Sequence, residues 1–186
     1  MGFRKDHTLE SRTADEAASR EIVHRLVRDE YQIVYRFAYR LAGSHADAED
    51  LTQQTFLQAC RKIQQLRSGE RARPWLLTIV RNCFLKSCQK LKHGTLPDTD
   101  VEWLAESTSN WPEEFDEEQL QQALQEMPEV FRIPVLLHYF EELSYKEISH
   151  LLDVPIGTIM SRLARGKELL RSRLMEKEAM ASSQSP

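Results

Sequence analysis

The segment between Leu143 and Leu174 constrains the fold of this chain more than any other part of its sequence. Ser144 followed three residues later by Glu147 is a capping box, which predicts that a helix begins there. Pro155 disfavours helical backbone at the residue before it and suits the first position of a second helix. That second helix combines one apolar face with five basic residues, namely Arg162, Arg165, Lys167, Arg171 and Arg173. This pattern is typical of a helix-turn-helix, a motif that places its second helix in the major groove of DNA.

Charge is strongly segregated along the chain, although the formal net charge is only −4. Residues 61–92 contain nine basic residues and a single acidic one, Glu70, whereas residues 98–118 contain nine acidic residues and no Lys or Arg. The segment from Val154 onward is basic again. Two basic blocks on separate helical units indicate two contact points on one polyanion.

The order of turn residues and apolar positions predicts an all-α protein with two small helical domains joined by a flexible acidic linker. Gly43 is expected to end a long helix that begins near Ser19. Ser44 is expected to cap the next helix and Pro74 to open the third, while Pro134 should disturb the helix in which it lies. The predicted divisions are a flexible N-terminus (1–18), a helical domain (19–92), the linker (93–115), the helix-turn-helix domain (116–176) and a disordered tail (177–186).

Two tryptophans, Trp103 and Trp111, fall in the predicted acidic linker, where large aromatic residues are unusual. They are interpreted as anchors that dock the linker on a partner, because buried aromatic residues dominate interface energetics. The alternative is local packing against one of the two domains, and the sequence leaves both interpretations open.

Several classes of function are disfavoured by this sequence. No run of about 18 apolar residues predicts a membrane span, and the first residues lack the apolar segment of a secretory signal. Three cysteines without a CxxC pair favour reduced thiols in a cytoplasmic protein. Because no Gly-rich phosphate loop, HExxH or nucleophile elbow is present, we expect no enzymatic activity, no cofactor, no metal and no small-molecule substrate.

Three runs of sequence, in this order along the chain, resemble the extracytoplasmic-function (ECF) sigma factors of the sigma-70 family. The run AGSHADAEDLTQQTFLQACRKI resembles the conserved helix of their region 2, and RPWLLTIVRNCFLKSCQK resembles the helix that follows it. The run MPEVFRIPVLLHYFEELSYKEISHLLDVPIGTIMSRLARGKELL resembles their region 4. The likeness covers about residues 25–175 and implies two helical domains on a flexible linker.

The resemblance also implies a function and a set of site residues. The chain would bind core RNA polymerase and direct it to promoter DNA, and an anti-sigma factor would be a further partner. Region 2 would dock on the polymerase and read the −10 element, while region 4 would read the −35 element. The implied −35 residues are Thr158, Ser161, Arg162 and Arg165; the −10 residues are Arg73, Arg81, Asn82, Lys86 and Lys90; the polymerase-binding residues are Asp50, Leu51, Gln53, Gln54 and Phe56.

These residue types suit the implied roles. Arg can contact guanine O6 and N7, Asn suits base edges, and Ser, Thr and Lys can contact the backbone. An exposed apolar residue beside acidic ones suits a protein interface. For Leu51, the alternative is that it belongs to the ordinary hydrophobic core.

The sequence departs from the family pattern at several positions. A Gln-Glu pair is replaced by Gln53-Gln54, so one carboxylate that could face the polymerase is lost. Glu142 and Asp153 replace two glycines, although Asp tolerates left-handed backbone better than most residues. Met160 stands where the recognition helix often carries Lys or Arg, so the usual −35 preference need not hold.

Two other functions remain open from the sequence. One is a helix-turn-helix regulator that binds an operator without polymerase, but such a regulator has no need for the region 2-like helices. The other is a helical interaction adaptor, which would not require segregated basic blocks. Co-migration with core polymerase would separate these alternatives.

Overall fold

The computed structural model describes the backbone of residues 6–66, 72–91 and 116–182, and the side chains of residues 20–66, 72–88 and 116–176. All regular structure within these ranges is helical, which confirms the predicted all-α class. The helices are α1 (Asp6–Ala42), α2 (His45–Lys62), α3 (Ala72–Leu91), α4 (Glu117–Gln125), α5 (Glu129–Val135), α6 (Tyr145–Leu152) and α7 (Ile156–Ser182). A 3₁₀ turn, Ile63–Gln65, follows α2, and a π-helical turn, Leu136–Phe140, follows α5.

The first half of the chain is a three-helix unit in which α1, α2 and α3 pack against one another. Phe37, Leu41 and Leu76 are fully buried in its core. Gly43 follows α1 in a left-handed conformation with φ of +88°, which glycine adopts without steric cost. Ser44 then caps α2, because its Oγ accepts a hydrogen bond from the backbone N–H of Asp47 at 3.1 Å. The predicted boundary between the first two helices is therefore confirmed.

The ends of the first and last helices differ from the prediction. α1 begins at Asp6 rather than near Ser19. Residues 6–18 contain no proline or glycine and are rich in Ala and Glu, so helix propensity carries the helix beyond the apolar pattern used to place its start. α7 continues to Ser182, beyond the predicted domain end at residue 176, for the same reason.

The second half of the chain packs α4, α5 and α6 against the long helix α7, and Ile148, Ile159 and Leu170 are fully buried there. Pro134 lies inside α5, which ends at the next residue and continues as the π-helical turn. The backbone N–H of Glu141 donates to the carbonyl of Leu136, five residues earlier, at 3.2 Å. Pro134 itself supplies no N–H to the carbonyl of Val130, four residues earlier, which is the lost hydrogen bond expected inside this helix, whereas the π-helical bond forms further along the chain.

The helix-turn-helix is formed by α6 and α7. Both hydrogen bonds of the predicted capping box are present: the N–H of Ser144 donates to Glu147 Oε2 at 2.9 Å, and the N–H of Glu147 donates to Ser144 Oγ at 3.3 Å. Asp153 ends α6 in a left-handed conformation with φ of 55°, so it fills the role of the glycine that it replaces. Ser149 Oγ donates to the carbonyl of Val154 at 2.6 Å and fixes the turn that leads into α7.

The two halves contact each other at the C-terminal end of α1. Gln121 Nε2 donates to the carbonyl of Tyr39 at 3.0 Å, and Gln125 Nε2 donates to the carbonyl of Arg40 at 2.9 Å. The carbonyl of Tyr39 also accepts from the backbone N–H of Gly43 at 2.8 Å, while the carbonyl of Arg40 is one of the last four of α1, which a helix end leaves without an intrahelical partner. The guanidinium of Arg40 lies 4.2 Å from the centre of the Phe140 ring in the second half. The predicted linker, with Trp103 and Trp111, lies outside the described residues.

Gly166 is required by the packing of α7 against α5. A Cβ at this position would lie 2.5 Å from Val135 Cγ2 and 3.2 Å from the carbonyl oxygen of Phe131. We expect Gly166→Ala to lower the free energy of unfolding by about 1–3 kcal/mol, the usual cost of overpacking, although Ala is the better helix former.

The matched control is Gly157→Ala in the first turn of the same helix, where a Cβ would meet nothing within 4 Å. This variant should be neutral or more stable by up to about 1 kcal/mol. Chemical denaturation of both variants measures the difference. Equal effects at the two glycines would show that helix propensity alone, without packing, decides the outcome.

Candidate nucleic-acid interface

The buried face of α7 fixes the orientation of its DNA-reading candidates. Ile159 and Leu163 are buried against the rest of the helix-turn-helix unit. Successive residues of an α-helix turn by about 100°, so Ser161 and Arg165 lie one turn apart on the side away from these anchors. The residues predicted for the −35 element, Thr158, Ser161, Arg162 and Arg165, are all partly exposed.

The hydroxyl of Ser161 donates to the carbonyl of Thr158 at 3.0 Å. A serine hydroxyl that donates to its own helix keeps its lone pairs available, so Ser161 can still accept a hydrogen bond from a base amino group. Arg162 carries the positive charge expected of a residue that contacts guanine or phosphate. The first three turns of α7 thus present hydroxyl and guanidinium groups together on an exposed surface.

Helix α3 presents a second basic surface close to the first. Arg81 Nη1 donates to the amide oxygen of the exposed Asn82 at 3.3 Å. Burial lowers the pKa of Arg81, and the nearby positive charge of Arg162 lowers it further. Arg81 Nε is buried without a hydrogen-bond partner among the described residues. Two guanidinium groups that repel each other, one of them with an unsatisfied donor, form a surface suited to an anion.

The remaining residues predicted for the −10 element do not join this surface. Arg73 Nη2 lies 2.7 Å from Glu141 Oε2, so it pairs with the second half of the chain instead. Lys86 is exposed on α3, and the side chain of Lys90 lies outside the described residues. The structure therefore brings Arg81 and Asn82 together near Arg162 and places Arg73 at the contact between the halves.

The ion pair between Arg73 and Glu141 joins a mostly buried carboxylate to a partly exposed guanidinium: the side chains are 4% and 38% exposed for Glu141 and Arg73, respectively. Burial raises the pKa of Glu141, and this effect outweighs the opposing hydrogen bond and charge of Arg73. Desolvation of a buried carboxylate can exceed the attraction gained from its partner. The pair therefore specifies how the halves fit without making their contact strongly favourable.

The predicted polymerase-binding residues on α2 divide between two faces of the helix. Asp50, Gln53 and Gln54 are exposed, whereas Leu51 and Phe56 belong to the core. For Leu51 the structure therefore agrees with the alternative that it belongs to the hydrophobic core, and Phe56 is buried as well. Leu57 is the exposed apolar side chain instead, with 53% of its surface accessible.

Asp50, Gln53, Gln54 and Leu57 lie within about 100° of helix circumference. We call this surface the α2 outer face. The sequence did contain the signal for Leu57, since positions 50, 53, 54 and 57 follow the i, i+3, i+4, i+7 spacing of one helical face. An exposed leucine flanked by an acid and two amides is a suitable centre for a protein contact.

Among the described residues, none of the helices combines the length and apolar character that a bilayer crossing requires. A 170 Å³ cavity lies between α1 and α4, lined in part by Tyr39, Arg40 and Gln121. Gln121, one of its lining residues, is also the side chain that donates to the carbonyl of Tyr39.

Comparison with known proteins agrees with this architecture. Residues 26–93 match the family model of sigma-70 region 2, and residues 117–170 match that of sigma-70 region 4. The chain is 31% identical over 142 residues to the ECF RNA polymerase sigma factor SigM of Bacillus subtilis, an alignment that covers 75% of this chain and 86% of that protein. It therefore belongs to the ECF sigma factors of the sigma-70 family.

A second relative is more similar but longer. The chain is 39% identical over 157 residues to the ECF RNA polymerase sigma factor SigE of Mycolicibacterium smegmatis, and the alignment covers 80% of this chain but only 60% of that protein. Among solved structures, the sigma factor RpoE, in complex with the anti-sigma factor NepR from Bartonella quintana, superposes with a TM-score of 0.66 at 24% identity. That match covers 82% of this chain and 96% of RpoE, and it supports the fold.

Proposed function

We propose that this chain is a promoter-specificity subunit that binds core RNA polymerase in the cytoplasm and directs initiation at promoters with −10 and −35 elements. The observation that carries this proposal is the presence of region 2 and region 4 in one chain, in that order. In this assignment, α7 contacts the −35 element and α3 contacts the −10 element. The α2 outer face docks on the polymerase, and the chain has no enzymatic activity of its own.

The contact between the halves bears on how DNA is bound. Elements named for positions −10 and −35 lie about 25 base pairs apart, which is about 85 Å along B-form DNA. Arg81 and Arg162, candidates for the two different elements, lie close enough for one charge to lower the pKa of the other. The halves must therefore separate before both elements can be occupied. The free chain, with its net charge of −4, should accordingly bind promoter DNA weakly.

In vitro transcription of a genomic library with core polymerase and this protein, followed by start-site mapping, tests the proposal. We expect start sites that require the protein and share two upstream elements. Leu57→Asp should reduce polymerase binding by placing a charge at the centre of the α2 outer face. Met175→Asp, at an equally exposed position near the end of α7, is the matched control.

The outcome that contradicts the proposal is tight, sequence-specific binding of operator DNA by the free chain, without any effect on polymerase. That result would favour the stand-alone helix-turn-helix regulator. If the chain bound neither polymerase nor DNA, the remaining interpretation would be the helical interaction adaptor.

An anti-sigma factor is the further partner that this function requires if the chain is to be kept inactive between stimuli. RpoE, which shares the fold, is bound to an anti-sigma factor in its own structure. The α2 outer face and the exposed side of α7 are the surfaces that such a protein would cover. Purification of a tagged chain from its native cell, before and after stress, should recover this partner only before stress. Recovery of polymerase subunits alone under both conditions would reject sequestration.

A further inference from the structure

Two large apolar side chains are exposed at the start of α7, where the hydrophobic core does not use them. Ile156 is 48% exposed and Met160 is 52% exposed, whereas Ile159 and Leu163 of the same turns are buried. Residues four positions apart on a helix lie one above the other, so Ile156 and Met160 form a continuous apolar strip. Met160 lies about 60° around the helix from Gly157 and about 100° from Ser161, so this end of the strip borders the face that carries those two residues.

The neighbouring positions on this surface have small side chains. A Cβ on Gly157 would meet nothing within 4 Å, and Ser161 and Ala164 follow at helical spacing on the same side. Small residues allow the backbone of α7 to approach the floor of a groove closely. Met160 is then the longest apolar side chain at that edge of the helix, free to reach sideways toward a base.

The charges of α7 identify the occupant of this surface. The helix carries Arg162 and Arg165 within the two turns that follow Met160, which suits a polyanion and disfavours an apolar protein groove or a basic partner. Among the four bases, only thymine presents a methyl group in the major groove, and apolar side chains recognise it by contact. An unbranched thioether adapts to the position of such a methyl group better than a branched side chain does.

We propose that Met160, supported by Ile156, selects thymine at one position of the −35 element through contact with its C5-methyl group. This inference rests on the proposed function and names a base preference within it. The departure at residue 160 then has a function of its own. Lys or Arg at this position could donate a hydrogen bond to DNA, whereas Met160 would contact a methyl group.

Single replacement of each thymine of the mapped −35 element by deoxyuridine, on either strand, tests the proposal because only the methyl group is removed. Binding of each promoter to the holoenzyme is measured by competition. We expect one substitution to weaken the wild-type complex about fourfold, the ratio that corresponds to one buried methyl group. Met160→Ala should weaken the unmodified complex by a similar factor and abolish the response to deoxyuridine.

The matched control is Met175→Ala, which removes an equally exposed methionine from the same helix about 22 Å further along its axis. This variant should keep the full response to deoxyuridine. A holoenzyme complex that ignores every deoxyuridine, or a −35 element without A·T pairs, overturns the role of Met160 and leaves the sigma assignment intact. Failure of the chain to form any promoter complex with polymerase overturns both.

Discussion

Simultaneous replacement of Arg162 and Arg165 by alanine is expected to reduce transcription from a −35-dependent promoter by roughly a hundredfold. Loss of one base-reading arginine costs about 1–3 kcal/mol, and a combined loss of only about 3 kcal/mol, less than full additivity would give for two neighbouring residues, corresponds to that factor. Both residues are partly exposed; Arg165 lies on the side of α7 away from the buried anchors Ile159 and Leu163, and Arg162 lies at the border of the buried face. The variant should therefore fold normally, and the loss should be a loss of recognition.

The single variants assign a role to each arginine. A base-reading arginine, when removed, relaxes the preference at one position of the element, whereas removal of a phosphate contact weakens all sequences alike and shallows the dependence of affinity on salt. Abortive initiation on a library of −35 sequences, at several salt concentrations, distinguishes the two effects.

Arg173→Ala is the matched control for these variants. Arg173 lies on the same helix, but it pairs with Glu176 at 3.2 Å and with Glu126 at 3.8 Å, both of which belong to the protein itself. Its removal should change transcription little, since exposed ion pairs contribute less than about 1 kcal/mol. Normal initiation by the double Arg162/Arg165 variant would mean that these arginines are only surface charge.

The parts of the fold that the sequence predicted are those decided by local chemistry. The capping box at Ser144, the stop at Gly43 and the left-handed residue Asp153 each depend on a few neighbouring residues, and each is present in the structure. The start of α1 was misplaced because an amphipathic period marks where a helix packs, while helix propensity decides how far it continues.

The parts that could not be predicted depend on contacts between residues distant in sequence. No local pattern indicates that Gln121 and Gln125 bond to carbonyls of α1, or that Arg73 pairs with Glu141 across 68 positions. The burial of Leu51, which the sequence left open, and of Phe56 could not be decided for a different reason, because family likeness identifies a helix but not which of its residues face outward. The phase of α2 is fixed by its packing on two other helices, and that phase exposes Leu57.

Replacement of Glu141 by arginine is expected to separate the two halves of the protein. The new guanidinium would lie beside Arg73 and near Arg40. The positive charges of these two residues attract the native carboxylate of Glu141 but repel a guanidinium. The change replaces a buried attraction by a repulsion and should favour the separated state by about 2 kcal/mol or more, less than for a fully buried pair because Arg73 is partly exposed. Small-angle scattering should show a larger radius of gyration, and the free protein should bind promoter DNA more tightly than the wild type.

The control is Glu142→Arg, the same charge change at the exposed neighbouring residue, which should leave the halves in contact. A charge exchange that combines Arg73→Glu with Glu141→Arg should restore the compact form, since it restores an opposite-charge pair at the same place. The exchanged protein also tests the −10 assignment of Arg73, because it lacks the arginine at that position. If Arg73 of the wild type contacts DNA once the halves separate, transcription by the exchanged protein stays low although its compact form returns. If Glu141→Arg leaves the radius of gyration unchanged, the ion pair does not hold the halves together, and the hydrogen bonds of Gln121 and Gln125 to α1 must be sufficient.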